Sequence, residues 1–209
     1  QMFHLSRRLN GTDLKANNNL EKLLLGSSPL SNFFRKYKVT FESGEGHINL
    51  YCNGILQSLD NEFAYNDGNV CYVKSRLGYF KNQDYCVNGF AFRSYLEKNH
   101  YYSSLASCPE LVGNIERLLG IKGMCADYYS NSKYYCIEYL IPMSEVIFDM
   151  GNPPETDCEK TVEFLKQAIL RLYNEWLGSS FICDENLILR LPDDECIESE
   201  WFVNAEELA

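Results

Sequence analysis

The stretch from Thr156 to Gly178 constrains the fold more than any other part of the chain. Thr156 and Glu159 have the spacing of a capping box, in which each side chain satisfies the other residue's free backbone N–H at a helix start. Val162, Leu165, Ile169, Leu172 and Trp176 then recur three and four residues apart, the repeat of one face of an α-helix. Gly178 supplies the stop. An isolated helix of this kind is marginal in water, so an apolar stripe is expected to be covered. The expectation is therefore a helix from about Thr156 to Leu177 that buries all five residues. The chain has 209 residues, 45% of them apolar, which is enough for one substantial core. One domain over 1–209 is expected rather than two.

The fold class follows from the segments around that helix. Met2 to Ser6 reads as a first strand with His4 in its middle. Asn19 is placed to cap a short helix carrying Leu20, Leu23 and Leu24, and Gly26 ends it. Pro29 suits the start of a second helix to Tyr37. Lys38 to Glu42 alternates as a strand does, and the turn Ser43–Gly46 returns the chain through His47 to Tyr51 as its hairpin partner. Ile55, Leu56, Leu59 and Phe63 fit a helix ending at Asn66-Asp67-Gly68, Val70 to Val73 a short strand, and Lys81 to Tyr85 a loop. Gly89 to Phe92 is expected to be a buried strand running into a helix from Ser94 to Ser104. Pro109 opens the next helix, Glu110 to Leu119, which Gly120 stops. Tyr128-Tyr129 and Tyr134 to Ile137 suit a pleated surface, and Ser130-Asn131-Ser132 between them predicts a tight hairpin. Met143 to Asp149 and Phe181 to Leu191 complete the strands. These segments predict an α+β fold: a single domain with a twisted, largely antiparallel sheet core and flanking helices.

Charge and cysteine usage narrow the function classes. The net charge of −10 argues against a surface that neutralises phosphates, so no nucleic acid is expected as partner. Part of that charge lies in Asp193 to Glu200 and Glu206-Glu207, which predicts a solvated acidic C-terminal end. No apolar run is long enough to span a membrane, and no secretory leader pattern opens the sequence. Nine cysteines with no CxxC pair, and only three histidines, predict no metal site. Reduced thiols in an intracellular, cytoplasmic setting are expected, nine of them free. The sequon Asn10-Gly11-Thr12 points the other way.

Three pieces carry the candidate chemistry. The first is Phe3-His4-Leu5-Ser6. The second is Gly89 to Tyr95, followed by His100, Tyr101 and Tyr102. The third is Ile137-Glu138-Tyr139-Leu140-Ile141-Pro142, where a carboxylate sits inside an apolar run. In this order they resemble the ADP-ribosyltransferase superfamily in its His–Tyr–Glu branch. The resemblance implies NAD as cosubstrate, held by His4 and Ser6, with Tyr95 or Tyr102 stacked on the nicotinamide ring. It implies Glu138 as the catalytic carboxylate, stabilising the ribosyl cation that forms as nicotinamide leaves. The target would be a protein or other macromolecule. The same residues also fit plainer roles. His4 suits a hydrogen-bonded core histidine, the tyrosines suit core or rim aromatics, and Glu138 suits a solvent-facing edge or a pair with Arg93 or Arg117. Arg7-Arg8 fits either a pyrophosphate contact or a solvated surface.

Two other classes compete with the transferase reading. One is a non-enzymatic interaction factor, such as a viral or bacterial effector in a host cytosol, binding a protein through an aromatic-rich face. The other is a cysteine hydrolase, which needs a Cys–His pair brought together by the fold.

Overall fold

The computed structural model describes residues 1–59, 68–80, 83–178 and 186–208. Strand β1, Met2–Leu9, lies near the middle of a six-stranded sheet. Its neighbours are β5, Asn88–Phe90, and β6, Ser132–Tyr139. Beyond β5 come β8, Ile188–Arg190, and then β7, Ile147–Phe148; β9, Phe202–Leu208, closes the other edge beyond β6. Every pairing is antiparallel. A Cβ on Gly89 would come within 2.8 Å of the Phe3 carbonyl oxygen and of Met2 Cγ, so β5 can pack this closely on β1 only with glycine there.

A second sheet of three strands, Val39–Ser43 (β2), Ile48–Cys52 (β3) and Ile55–Leu56 (β4), packs with the helices. These are α1, Leu20–Leu25, α2, Pro29–Lys36, α3, Gly68–Arg76, α5, Glu110–Leu119, and α6, Met124–Ser130. They share one apolar core containing Phe34, Val39, Leu50, Val73, Val112, Ile115 and Met124. The two faces of the large sheet carry two smaller cores. Met2, Ile137 and Tyr139 belong to one, Phe3, Leu5, Tyr134 and Cys136 to the other. The expected α+β class holds, with a largely antiparallel sheet and helices around it.

The local signals at α1 and α2 hold as well. The Asn19 side chain accepts the Lys22 N–H at 2.9 Å, and Ser28 and Ser31 form a capping box ahead of Pro29. Several expectations are corrected. Tyr128 and Tyr129 lie in α6, not in a strand, because Tyr128 packs edge-on against Phe33 and donates its hydroxyl to the Arg7 carbonyl at 3.0 Å. The hairpin is thus a helix followed by β6, and tertiary packing overrides β-propensity. Val70 and Val73 are three apart on α3, both buried against α5, so they serve a helix. Ile55 and Leu56 are an exposed strand edge instead of a helix, and Leu59 is buried outside any helix; residues 60–67 lie outside the described residues. The expected helix 94–104 is broken. Tyr95 is left-handed, a 3-10 turn covers Leu96–Lys98, and Asn99 caps α4, His100–Leu105, by accepting the Tyr101 N–H. Phe92 lies beyond β5, and of the expected strands at 181–191 only β8 falls among the described residues. Of the expected acidic C-terminal end, Asp193 accepts the Tyr85 and Cys86 N–H groups, while Glu206 and Glu207 lie on the edge strand β9, paired to Arg93 and Lys133. Charges of this kind protect an open sheet edge from further pairing. No disulfide joins the eight described cysteines; Cys183 lies outside the described residues.

Candidate functional site

The register of β1 on β6 decides where the candidate residues go. Directly opposed residues of an antiparallel pair share a sheet face, and neighbours along a strand alternate. His4 is opposite Ile137, and Phe3 is opposite Glu138. His4 and Glu138 therefore point to opposite faces of the sheet. Glu138 is half-buried on the face that carries Phe3 and Cys136. Tyr102 packs edge-on against Tyr134, which donates its hydroxyl to the Tyr102 carbonyl at 2.8 Å. Tyr95 donates its hydroxyl to Glu175 at 2.9 Å. Ser6 is on the face of His4, opposite Tyr135. The expected convergence of His4, a tyrosine and Glu138 on one cleft does not occur. The cause is parity: an odd separation between positions on paired strands turns one of two side chains away.

What His4 does line is a different site. β5 is three residues long and β1 is eight, so β1 runs on past its neighbour. Alongside lies a cavity of about 380 Å³, lined by β1 and by parts of α1, α3, α4 and α5. His4 Nδ1 is 2.6 Å from the Asn88 carbonyl, which can only accept, so Nδ1 carries the proton. Nε2 is then the acceptor for Arg8 Nη2 at 3.0 Å. Although the ring is only half-buried, the protein packed around it and the Arg8 charge hold its pKa down to about 3, against the opposing Asn88 bond. His4 is therefore neutral at physiological pH. Burial likewise lowers the Arg8 pKa, and the Arg8 Nε is enclosed without a hydrogen-bond partner.

The basic pair divides its work by the same alternation. Arg7, on the opposite face from Arg8, donates Nε to the Ala106 carbonyl at 2.7 Å and Nη1 to the Ser132 carbonyl at 2.9 Å. Its guanidinium also stacks over the Tyr129 ring at 3.9 Å. It ties α4 and α6 to the sheet. The cavity thiols are held in the neutral form: burial pushes Cys86 up to about 11, and burial with the neighbouring Cys125 also raises Cys108. A Cys–His hydrolase needs a thiolate and a base, and here both groups are neutral and His4 has both nitrogens engaged.

The second notable surface is helix α7, Asp157–Trp176. Its capping box forms as expected, with Thr156 Oγ1 accepting the Glu159 N–H at 3.2 Å and Glu159 accepting the Thr156 N–H at 3.0 Å. Its apolar stripe does not pack inward. Val162, Leu165 and Leu172 are exposed, Ile169 is 66% exposed and Trp176 79%. The face held against the body is that of Lys160, Phe164 and Arg171. Lys160 Nζ donates to the Met143 carbonyl at 3.1 Å, and Arg171 donates to the Ser94 carbonyl and hydroxyl. Phe164 stacks on Phe92 with centroids 5.4 Å apart, and Arg171 lies over the same ring. At ~100° per residue, Lys160, Phe164 and Arg171 occupy one sector and the apolar stripe the roughly opposite one.

Sequence reasoning missed both surfaces. The alternation His4, Ser6, Arg8 was available as a period-two signal that separates Arg8 from Arg7. On α7, Lys160 and Arg171 at helical spacing with Phe164 marked a competing face. Among the described residues no group of three or more potential metal ligands is present, and no helix is long and apolar enough to cross a membrane. No family model, curated protein or solved structure matches the chain.

Proposed function

We propose that this protein is a non-enzymatic interaction factor that docks an amphipathic helix of a partner protein on the outer face of α7. The observation that carries the reading is the exposed stripe Val162, Leu165, Ile169, Leu172 and Trp176. Its spacing of three, four, three and four is that of the a and d positions of a helix–helix seam, which receives a second helix by knobs-into-holes packing. Large contiguous apolar exposure of this kind marks interaction sites. Each such side chain gains about 1.5–3 kcal/mol on full burial, so five half-exposed ones can offset the cost of association. Tyr173 and Trp176 add the aromatic anchors favoured at interface centres. A reduced cytosolic compartment suits the free thiols. The transferase reading, with NAD held by His4, Ser6 and a tyrosine, lacks support from geometry because Glu138 faces away from His4.

The test is selection from a display library of amphipathic helical peptides with randomised a and d positions. The parent protein should enrich peptides with large apolar residues at that spacing. The double variant Ile169→Asp, Leu172→Asp should keep its melting temperature and enrich none. Equal enrichment by both proteins, or none by the parent, would sink the reading. Concentration-dependent sedimentation of the parent, lost in the variant, would instead make the partner helix a second copy of this chain.

A further inference from the structure

We infer that the cavity beside β1 is a binding site for a small organic carboxylate with an apolar body, its head group held by Arg8. The charge inventory leads there. Four charged side chains line the cavity: Arg7, Arg8, Arg76 and Glu110. Arg7 is spent on backbone carbonyls, Arg76 is paired with Asp84, and Glu110 is hydrogen-bonded with Tyr72. Arg7 and Arg8 both lack a carboxylate within ion-pair reach among the described residues, but the Arg7 fork is filled by carbonyls, whereas the bonded partner of Arg8 is the neutral His4.

A guanidinium stays protonated in a protein, so Arg8 is a half-buried positive charge without a counter-charge. Such a charge is costly unless something completes it. His4 contributes orientation. With Nδ1 tied to Asn88, its Nε2 holds Arg8 Nη2 and fixes the plane of the fork. Nε, on the same fork, is left without an acceptor. The guanidinium carries five N–H donors, of which His4 engages one, and a carboxylate in the cavity supplies the counter-charge that Arg8 lacks. Asn17, 3% exposed, also lines the cavity, and its enclosed side-chain amide nitrogen has no partner.

The remaining walls choose between kinds of anion. Leu20, Leu23, Leu30, Leu105 and Val112 line the cavity, with Tyr101 beside them. One guanidinium whose fork is not already filled by carbonyls, in a mostly apolar chamber, suits a monoanion with a hydrocarbon or aryl body. A free phosphate dianion would ask for more cations and would gain nothing from the leucines. The volume of about 380 Å³ lies in the range of small-molecule sites.

The experiment titrates the full chain by calorimetry with 4-phenylbutyrate, with the neutral 4-phenylbutan-1-ol and with inorganic phosphate. The expected result is saturable one-to-one binding of the carboxylate, with the alcohol and phosphate each at least about tenfold weaker, the scale of one charge-assisted hydrogen bond. Arg8→Met should weaken the carboxylate about tenfold to a hundredfold and leave the alcohol unchanged. The α7 variant Ile169→Asp, Leu172→Asp should bind the carboxylate like the parent, which separates this site from the docking face. The comparison of carboxylate with alcohol on the unaltered chain stands even if Arg8→Met does not fold. No saturable binding of the carboxylate, equal binding of the alcohol, tighter binding of phosphate, or full affinity in a folded Arg8→Met protein each overturns the inference.

Discussion

Helices α5 and α7 have equally clear apolar repeats and opposite fates. α5 sits between α3 and α6 and buries Leu111, Val112 and Ile115, the last at 0% exposure. α7 carries a longer stripe, and Ile169 in its middle is 66% exposed. The difference is in what holds each helix. α5 is held by apolar burial in a core shared with Val73 and Met124. α7 is held by two cations that donate to backbone carbonyls, by one aromatic stack and by the Tyr95 hydroxyl on Glu175. Hydrogen bonds from charged donors contribute about 1.5–3 kcal/mol each, enough to seat a helix whose apolar side faces away. Periodicity tells which residues share a face. It does not tell which face meets the body.

That contrast can be broken by substitution. Ile115→Asp puts an unpaired charge into the shared core and should cost about 4 kcal/mol or more, abolishing a cooperative melt. A near-normal melt would remove the contrast from its buried side. Arg171→Ala removes the donor that Ser94 relies on and should cost about 1–3 kcal/mol, with loss of hydrogen-exchange protection confined to α7. Uniform loss of protection would mean that α7 is part of the cooperative core. Thr156→Ala removes half of the capping box and should cost about 1 kcal/mol, read as fraying of the first turn of α7. Ile169→Asp should be the smallest, within about 0.5 kcal/mol of the parent in a urea titration.

Acid adds a sharper form of the contrast. The bonds from Thr156 and Glu155 hold the Glu159 pKa below its ordinary value of about 4.3. Its contribution to α7 is complete above that value and is lost as the pH falls through the lower folded pKa. His4 also has a folded pKa below its unfolded one, about 3 against about 6.5. The unfolded state therefore binds a proton first, and stability declines as the pH falls from about 6.5 towards 3. Circular dichroism melts across that window should decline steadily in the parent, and less in His4→Gln.

Much of the fold was legible in local chemistry. Asn19 with Gly26, Ser28 with Pro29, the alternation of Val39 and Phe41, and Thr156 with Glu159 each act within a few residues. They form as expected. The errors lie where distant chain decides. Tyr128 belongs to a helix because Phe33 and the Arg7 carbonyl receive it. The C-terminal strand exists because β6 offers an edge. For the candidate residues the decisive quantity was strand register, which opposes Glu138 to Phe3 and not to His4, and a sequence read segment by segment does not contain it. The division of labour between Arg7 and Arg8 was half legible, since alternation separates them, but the carbonyls that occupy Arg7 come from α4, α6 and β6.

The most direct measurement uses Trp176, at the end of the outward stripe and one of two tryptophans. Trp201→Phe leaves it as the sole indole. If the stripe faces water, folded Trp201→Phe protein should emit as a solvent-exposed indole, and acrylamide should quench it nearly as well as in urea. Adding an enriched amphipathic peptide should then move the emission to shorter wavelength and protect it from quenching. Blue-shifted, poorly quenched emission in the free folded protein, moving to the red only on unfolding, would mean that the stripe is covered from within and would contradict the account.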